Sequence, residues 1–427
     1  MVALQFGQGG NQVGEQFFDR LLDELDDDSY NFYFRDANAA SSNSPPRLPD
    51  YKPSLVARSV LVDTEPKVVQ RAALNTHSGR WRFDNDNVFY KQSGAANNWA
   101  QGYHAYGGAV GEVLLEKVSR EVERADRLDG FLLLNSVAGG TGSGLGSYFG
   151  ELLADVFPTS ARVVVNIWPF ESGEITVQSY NTLLSTVAAS DTADLVLLFE
   201  NQRYKELCSR TLRVKNPSFN DLNNAMTENL VQVLKPIRKA GLSGFHSPLS
   251  VLVRQLGHPA YKFATPRSVP QISNQALLHQ QDSWNALSKG LVGMFTRGDI
   301  VDASIGGVPA KPMKAYASSV FLRGPTCTQA PLDMFSQLSG SSYLDPLSIH
   351  LDKTRFKGLD RSAALLSNDQ SCLKVFESVI DKASQMFRGK VYLHQYEPFG
   401  VTREEFGETL LSFNQLIESY RQLGLEN

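Results

Sequence analysis

Short apolar runs and amphipathic stretches alternate along the first half of the chain. Residues 2–6 form an apolar run that stops at Gly7, and residues 59–62 another that stops at Asp63. Residues 131–134 lead into a glycine-rich string, and two further runs occupy 162–168 and 195–199. Between them, Val110, Val113, Leu114, Val118 and Val122 recur at helical spacing, as do Leu145, Phe149, Leu152, Leu153 and Val156. Continuous apolar strands alternating with one-sided helices predict an α/β domain, a mostly parallel sheet covered on both faces. Ligands of such sheets sit at the carboxyl ends of the strands.

The second half reads differently. After Ser218, Leu222, Met226, Leu230, Val233, Leu234 and Ile237 mark a long central helix, which Pro236 kinks or ends. Residues 245–360 scatter Pro and Gly among strand-like runs such as 317–322, which predicts a smaller second α/β domain. Leu373, Phe376, Ile380 and Phe387 then form a helical stripe, and 391–396 a strand or turn. Thr402 with Glu405 makes a capping box ahead of Leu410, Phe413, Leu416, Ile417 and Tyr420. The expected division is a first domain over 1–217, a central helix over 218–240, a smaller α/β domain over 241–360 and a helical region over 361–427. Residues 37–54, rich in Ser, Asn and Pro, read as a surface loop. Asp23, Glu24 and the acids at 26–28 read as the solvated end of the first helix, since adjacent acids on a helix do not face one another.

Composition narrows the class. A length of 427 residues predicts two or three domains. Lys and Arg total 41 against 45 Asp and Glu, a net charge of −4, which argues against a protein held to nucleic acid by bulk charge. No apolar run is long enough to span a bilayer, so no membrane partner is expected. The first ten residues lack the basic and apolar regions of a signal peptide. Cys208, Cys327 and Cys372 lie far apart without CxxC, which predicts neither a disulfide framework nor a zinc site. A soluble protein of a reducing compartment is expected.

The strongest local signal is Ala138-Gly139-Gly140-Thr141-Gly142-Ser143-Gly144, which follows an apolar strand and opens a helix. Backbone N–H groups at a helix start favour anions, and glycines let that backbone approach a phosphate. Thr141 and Ser143 add hydroxyl donors. A flexible turn explains one or two glycines, but poorly explains four in six positions at a strand–helix junction. The loop is not a P-loop, because GxxxxGK[ST] is missing, and not GxGxxG, because Ser147 stands where the last glycine belongs. No HExxH, HxH or GxSxG string offers a catalytic site of the chain's own.

The string at 138–144 resembles the signature loop of the tubulin family, and the resemblance runs from Gly7 to Tyr420. Gly7-Gln8-Gly9-Gly10-Asn11-Gln12 resembles the first nucleotide loop, with Gly9 where many tubulins carry Cys. Residues 62–66 (VDTEP) resemble the second loop, 97–103 (NNWAQGY) the third, and 218–223 (SFNDLN) the start of the central helix. Residues 62–69, 97–103, 138–146, 167–174 (IWPFESGE) and 394–401 (HQYEPFGV) are most similar to the delta subfamily.

The resemblance implies GTP or GDP with Mg²⁺. Gln8 and Gly9 would lie against the phosphates, Gln8 near the metal. Glu65, and Asp63 after it, would hold Mg²⁺ through water, as hard cations keep oxygen ligands and waters. Without the resemblance, Asp63 and Pro66 read as a strand end and helix start. Asn97 would contact the γ-phosphate, and Gly139, Gly140, Thr141, Gly142, Ser143 and Gly144 would cradle the phosphates. Asn201 and Asn223 would read the guanine edge, since an amide both donates and accepts. Gln12 would lie near the base and Phe219 would stack on it, where alpha and beta tubulins usually have Tyr. Glu174 aligns with a ribose contact, as does Gln178, which replaces a family Glu.

The resemblance further implies other tubulins as partners, through longitudinal contacts with lateral ones as a second option, in the cytoplasmic cytoskeleton at centrioles and basal bodies. In this family a neighbouring subunit completes hydrolysis by inserting an acid from the helix after the central one. Residues 246–259 contain no Asp or Glu, and Arg254 is their only fixed charge, so no activation of a partner's nucleotide is expected. Two other classes compete: an autonomous GTPase switch, with turnover at low protein concentration, and a tubulin-sequestering assembly factor with structural, non-exchanging nucleotide. The sequence stops at residues 421–427 without a Glu-rich tail, so tail-dependent motor binding is not expected.

Overall fold

A computed structural model describes residues 1–26, 29–37, 54–75, 77–173, 175–238, 244–273, 282–302, 313–338 and 347–423. The acids at 27 and 28, loop residues 38–53, Glu174 and residues 424–427 lie outside the described residues.

The first domain is built from β1 (Val2–Phe6), α1 (Gly7–Glu24), β2 (Phe34–Asp36), β3 (Leu55–Ala57), β4 (Ser59–Asp63), α2 (Pro66–Leu74), β5 (Trp81–Arg82), β6 (Val88–Tyr90), α3 (Gly108–Glu123), β7 (Gly130–Ser136), α4 (Gly146–Val156), β8 (Ala161–Trp168), α5 (Gln178–Thr192), β9 (Leu195–Glu200) and α6 (Asn201–Glu206). Then follow α7 (Phe219–Leu234), α8 (Pro248–Leu256), β10 (Phe263–Val269), α9 (Trp284–Arg297), β11 (Ala315–Arg323), β12 (Leu347–Asp352), β13 (Ser362–Asp369), α10 (Leu373–Arg388) and α11 (Arg403–Gln422).

One sheet runs through both α/β regions in the order β12-β11-β13-β10-β9-β8-β7-β1-β4-β6. From β9 to β6 every pairing is parallel, as continuous apolar strands predict. The second region joins through parallel β9–β10 pairing at Phe263–Val196 and Ala264–Leu197, and β13 runs antiparallel to both neighbours. Alternation along β7 divides the interior. Leu132 and Leu134 enter a core shared with α1, α7 and α8, whereas Phe131 and Leu133 enter one shared with α3, α4, α5, α10 and α11. A third core lies beneath α9.

Helix α7 ends at Leu234, with Lys235 already extended, because a residue before Pro236 avoids the helical region. The Thr402–Glu405 box forms at the start of α11, both reciprocal bonds being present. Residues 393–395 form a 3₁₀ turn rather than a strand. Glu24 departs from the solvated reading. It is buried, accepting from Lys357 N at 2.8 Å and lying 3.4 Å from Lys235 Nζ. Burial raises its pKa, and Lys235 opposes that shift. Asp23, one residue away, stays exposed and pairs with Arg80.

Candidate functional site

Strand β1 lies between β4 and β7, so the chain leaves all three at neighbouring points on one edge of the sheet. The turns after them converge there. Gly7 has φ +69°, a left-handed conformation that suits glycine, and a Cβ on it would stand 2.9 Å from Gly142 N. A Cβ on Gly140 would stand 2.5 Å from Ala95 O, and one on Gly102 would overlap Gly140 O. The turns after β1 and β7 and the segment that follows β6 therefore touch backbone to backbone. At Gly139, by contrast, a Cβ would meet only Asn97 Oδ1, at 3.8 Å. Gly139 is the open edge of the cradle.

The hydroxyls expected as free donors are engaged within the protein. Ser143 Oγ donates to Gly139 O, and Thr141 Oγ1 shares a 2.6 Å hydrogen bond with Thr64 Oγ1. The first holds the loop in its turn, and the second ties the loop to the end of β4.

Asp63 is buried at the end of β4, where its Oδ1 accepts from Thr64 N at 2.8 Å and from Glu65 N at 3.3 Å. Burial pushes its carboxyl up to about 6, against those hydrogen bonds. Glu65 is exposed, its Oε1 3.4 Å from where a Cβ on Gly94 would sit. Pro66 opens α2 at its first position, as expected. Among the described residues no group of three acids, His or Cys is poised for a metal. A Mg²⁺ ion here would depend on phosphate oxygens and water, as this ion usually does.

The residues expected at the base lie at the starts of α6 and α7. Asn201 is the first residue of α6. A Ser218–Asp221 capping box fixes the start of α7, which places Phe219 on its first turn and Asn223 on its second. Phe219 is 60% exposed, and its ring centroid is 5.9 Å from that of Phe170. Gln16 Nε2 donates to Asn220 Oδ1 at 2.7 Å, which joins α1 to α7 beside Gln12. Gln178 does not reach outward: its Nε2 donates to Phe170 O at 3.0 Å.

The amides around the cleft fall into two sets. Asn11, Asn98 and Asn181 spend their donors on backbone carbonyls, Asn11 on Gly7 and Val62, Asn98 on Gln395, and Asn181 on Asn97 and Ala138. The side chains of Gln8, Gln12, Asn97, Asn201 and Asn223 make no hydrogen bond to any described residue. Of the expected contacts, Thr141, Ser143 and Gln178 are thus engaged within the protein, whereas these five amides keep their donors and acceptors free of described partners. Asn181 and Thr64 were not singled out from the sequence. No sequence signal sets Asn181 apart from the other polar residues of α5, such as Ser179, Thr182 and Ser185.

A parallel sheet with a glycine-rich, non-Walker loop at its strand ends is an α/β domain of the class that binds ligands at those ends. Residues 1–209 match the Tubulin/FtsZ family, GTPase domain. The chain is 32% identical to the Tubulin delta chains of Macaca fascicularis and Homo sapiens, over 99% of this chain and 100% of theirs. It is 29% identical to the Tubulin beta-2 chain of Suillus bovinus, over 99% of this chain and 95% of that one. The chain belongs to the tubulin family, and within it resembles the delta chains. Its GTPase domain makes guanine nucleotide the expected ligand class.

Proposed function

We propose that this chain holds GTP or GDP in the cleft at the carboxyl ends of β1, β4 and β7, as a structural cytoskeletal subunit with at most weak, partner-dependent hydrolysis. The observation that carries this reading is the set of unpaired amides around a cradle whose open edge is Gly139. Gln8 and Gly9 would face the phosphates, with backbone N–H groups of residues 139–144 around them. Asn97 would reach the terminal phosphate. Asn201, Asn223 and Gln12 would meet the base, with Phe219 against its face. Glu65 would face a hydrated Mg²⁺, while Asp63 mainly shapes the turn. Bound Mg²⁺ would neutralise phosphate charge.

The delta-type similarity favours a role in centrioles and basal bodies, in triplet microtubules and in cilium or flagellum formation. Contacts with other tubulins would be longitudinal at the nucleotide face and lateral elsewhere. Helix α8 would face a neighbour's nucleotide, and it exposes Arg254 and no acid. The chain would therefore leave that nucleotide unhydrolysed. Nucleotide extracted from purified protein tests the reading: guanine nucleotide released with Mg²⁺ dependence supports it, and adenine nucleotide or none rejects it.

A further inference from the structure

Asn181, on α5, is fully buried and makes four hydrogen bonds. Its Nδ2 donates to Asn97 O and to Ala138 O, both at 2.7 Å. Its Oδ1 accepts from Trp99 N at 2.9 Å and from the Tyr396 hydroxyl at 2.7 Å. Two donors and two lone pairs are the full capacity of an amide. They join three segments distant in sequence: the turn at 95–99, the entry to the glycine loop, and the turn between α10 and α11. A second bond runs the same way, from Asn98 Nδ2 to Gln395 O at 2.8 Å.

The turn so held is strained. Ala96 and Asn97 have φ of +46° and +52°, and neither is glycine. Such conformations persist where the surroundings over-determine them, commonly at ligand clamps. Here the reward is the Asn97 side chain, exposed and unpaired beside the open edge at Gly139. On the other side, Tyr396 is buried against Tyr180 and Phe406, with ring centroids 5.7 and 5.1 Å away. Its neighbours His394, Gln395 and Glu397 are exposed.

We infer that Asn181 is a positioning residue that couples the terminal phosphate in the cradle to the exposed turn between α10 and α11, through Tyr396. The inference rests on the nucleotide reading above. A phosphate held by Asn97 favours one arrangement of the strained turn. Any other arrangement must stretch bonds to the same amide that accepts from Tyr396. An interaction with unequal free energy in two arrangements is what links two sites.

Two variants test this. Tyr396→Phe removes one hydroxyl and leaves the cradle's own residues untouched, and Asn181→Asp replaces the two amide donors by an acceptor. Affinities for Mg²⁺-GTP and Mg²⁺-GDP are measured by calorimetry, and hydrogen exchange at 95–99 and 393–399 with each nucleotide. The wild-type chain is expected to exchange differently at 393–399 with GTP and with GDP. Tyr396→Phe abolishes that difference and lowers the GTP-to-GDP affinity ratio about threefold, and Asn181→Asp lowers it about tenfold. A merely structural role would lower stability and leave the ratio unchanged, and an unchanged ratio with unchanged exchange in Tyr396→Phe overturns the inference. Should Asn181→Asp fail to fold, Tyr396→Phe decides alone. Should the wild type bind no guanine nucleotide, the reading of the cleft fails. The link is then judged in the free protein, where faster exchange at 95–99 in Tyr396→Phe supports it and unchanged exchange overturns it.

Discussion

Gly140 packs so closely on Ala95 that a Cβ added to it would stand 2.5 Å from the Ala95 carbonyl oxygen and 2.8 Å from Asn98 N. The neighbouring glycine, Gly139, has no such contact. Two adjacent glycines of one loop thus differ: the second admits another stretch of backbone, while the first faces open space where the proposed phosphate would lie. Gly140→Ala should destabilise the free protein by about 1–3 kcal/mol, the usual range for overpacking. Gly139→Ala should leave the thermal midpoint of the free protein nearly unchanged and weaken nucleotide binding. Thermal unfolding without nucleotide, followed by calorimetric titration, separates the two. Equal destabilisation by both changes would contradict the division.

The same logic applies to two asparagines on α7. The Asn223 side chain has no hydrogen bond to a described residue, whereas Asn229 Nδ2 donates to the Tyr204 hydroxyl at 2.8 Å and its Oδ1 accepts from Ser268 Oγ. Asn223→Ala should therefore weaken guanine nucleotide binding about tenfold with little change in stability, as for one lost amide contact to a base. Asn229→Ala should strand two buried partners and cost about 1–3 kcal/mol of stability. Unchanged affinity in Asn223→Ala would remove it from the base contact.

These contrasts show where the sequence was legible and where it was not. The strand and helix periods, the stop at Pro236 and the Thr402–Glu405 box are local patterns, and the structure repeats them. The packing of the glycine turns was legible because those glycines cluster at strand ends. Glu24 was misread because its partners, Lys235 and Lys357, are 211 and 333 residues away. No period encodes such a pairing. The continuous sheet was hidden for a similar reason, since two residue pairs between β9 and β10 carry it across the expected domain boundary. Asn181 stayed invisible because its role consists of tertiary contacts alone.

His350 makes acid stability sensitive to the docking of α8. Its Nε2 is 3.0 Å from Gln255 Oε1 on α8, and its ring stacks on Phe321 with centroids 5.0 Å apart. Burial, with His246 and Arg323 nearby, lowers its pKa from 6.5 to about 4. The folded chain thus binds this proton more weakly than the unfolded chain does. The contribution to stability is present above pH 6.5 and is lost as pH falls through 6.5 towards about 4, by up to about 3 kcal/mol. His350→Gln should remove that component, so the stability difference between wild type and variant should vary across this window. A difference independent of pH would show that His350 does not titrate in this way.

Helix α8 also offers a gain-of-function test. Its N-terminus is anchored by Asp129, whose carboxylate accepts from Leu249 N at 3.0 Å, Ser250 N at 3.3 Å and Ser250 Oγ at 2.6 Å. Arg254 lies on the exposed side and takes no part in that anchor. A substitution there changes the charge presented to a neighbour without undocking the helix. Under the proposed head-to-tail contact, the wild-type chain added to GTP-loaded tubulin should not raise phosphate release. Arg254→Glu supplies a carboxylate that can orient water, and should raise release at least about tenfold, within the range of a positioned general base. Stimulation by the wild-type chain would show that a residue other than an α8 acid completes the neighbour's site. No stimulation by Arg254→Glu, in a variant that still binds tubulin, would place α8 away from the neighbour's nucleotide.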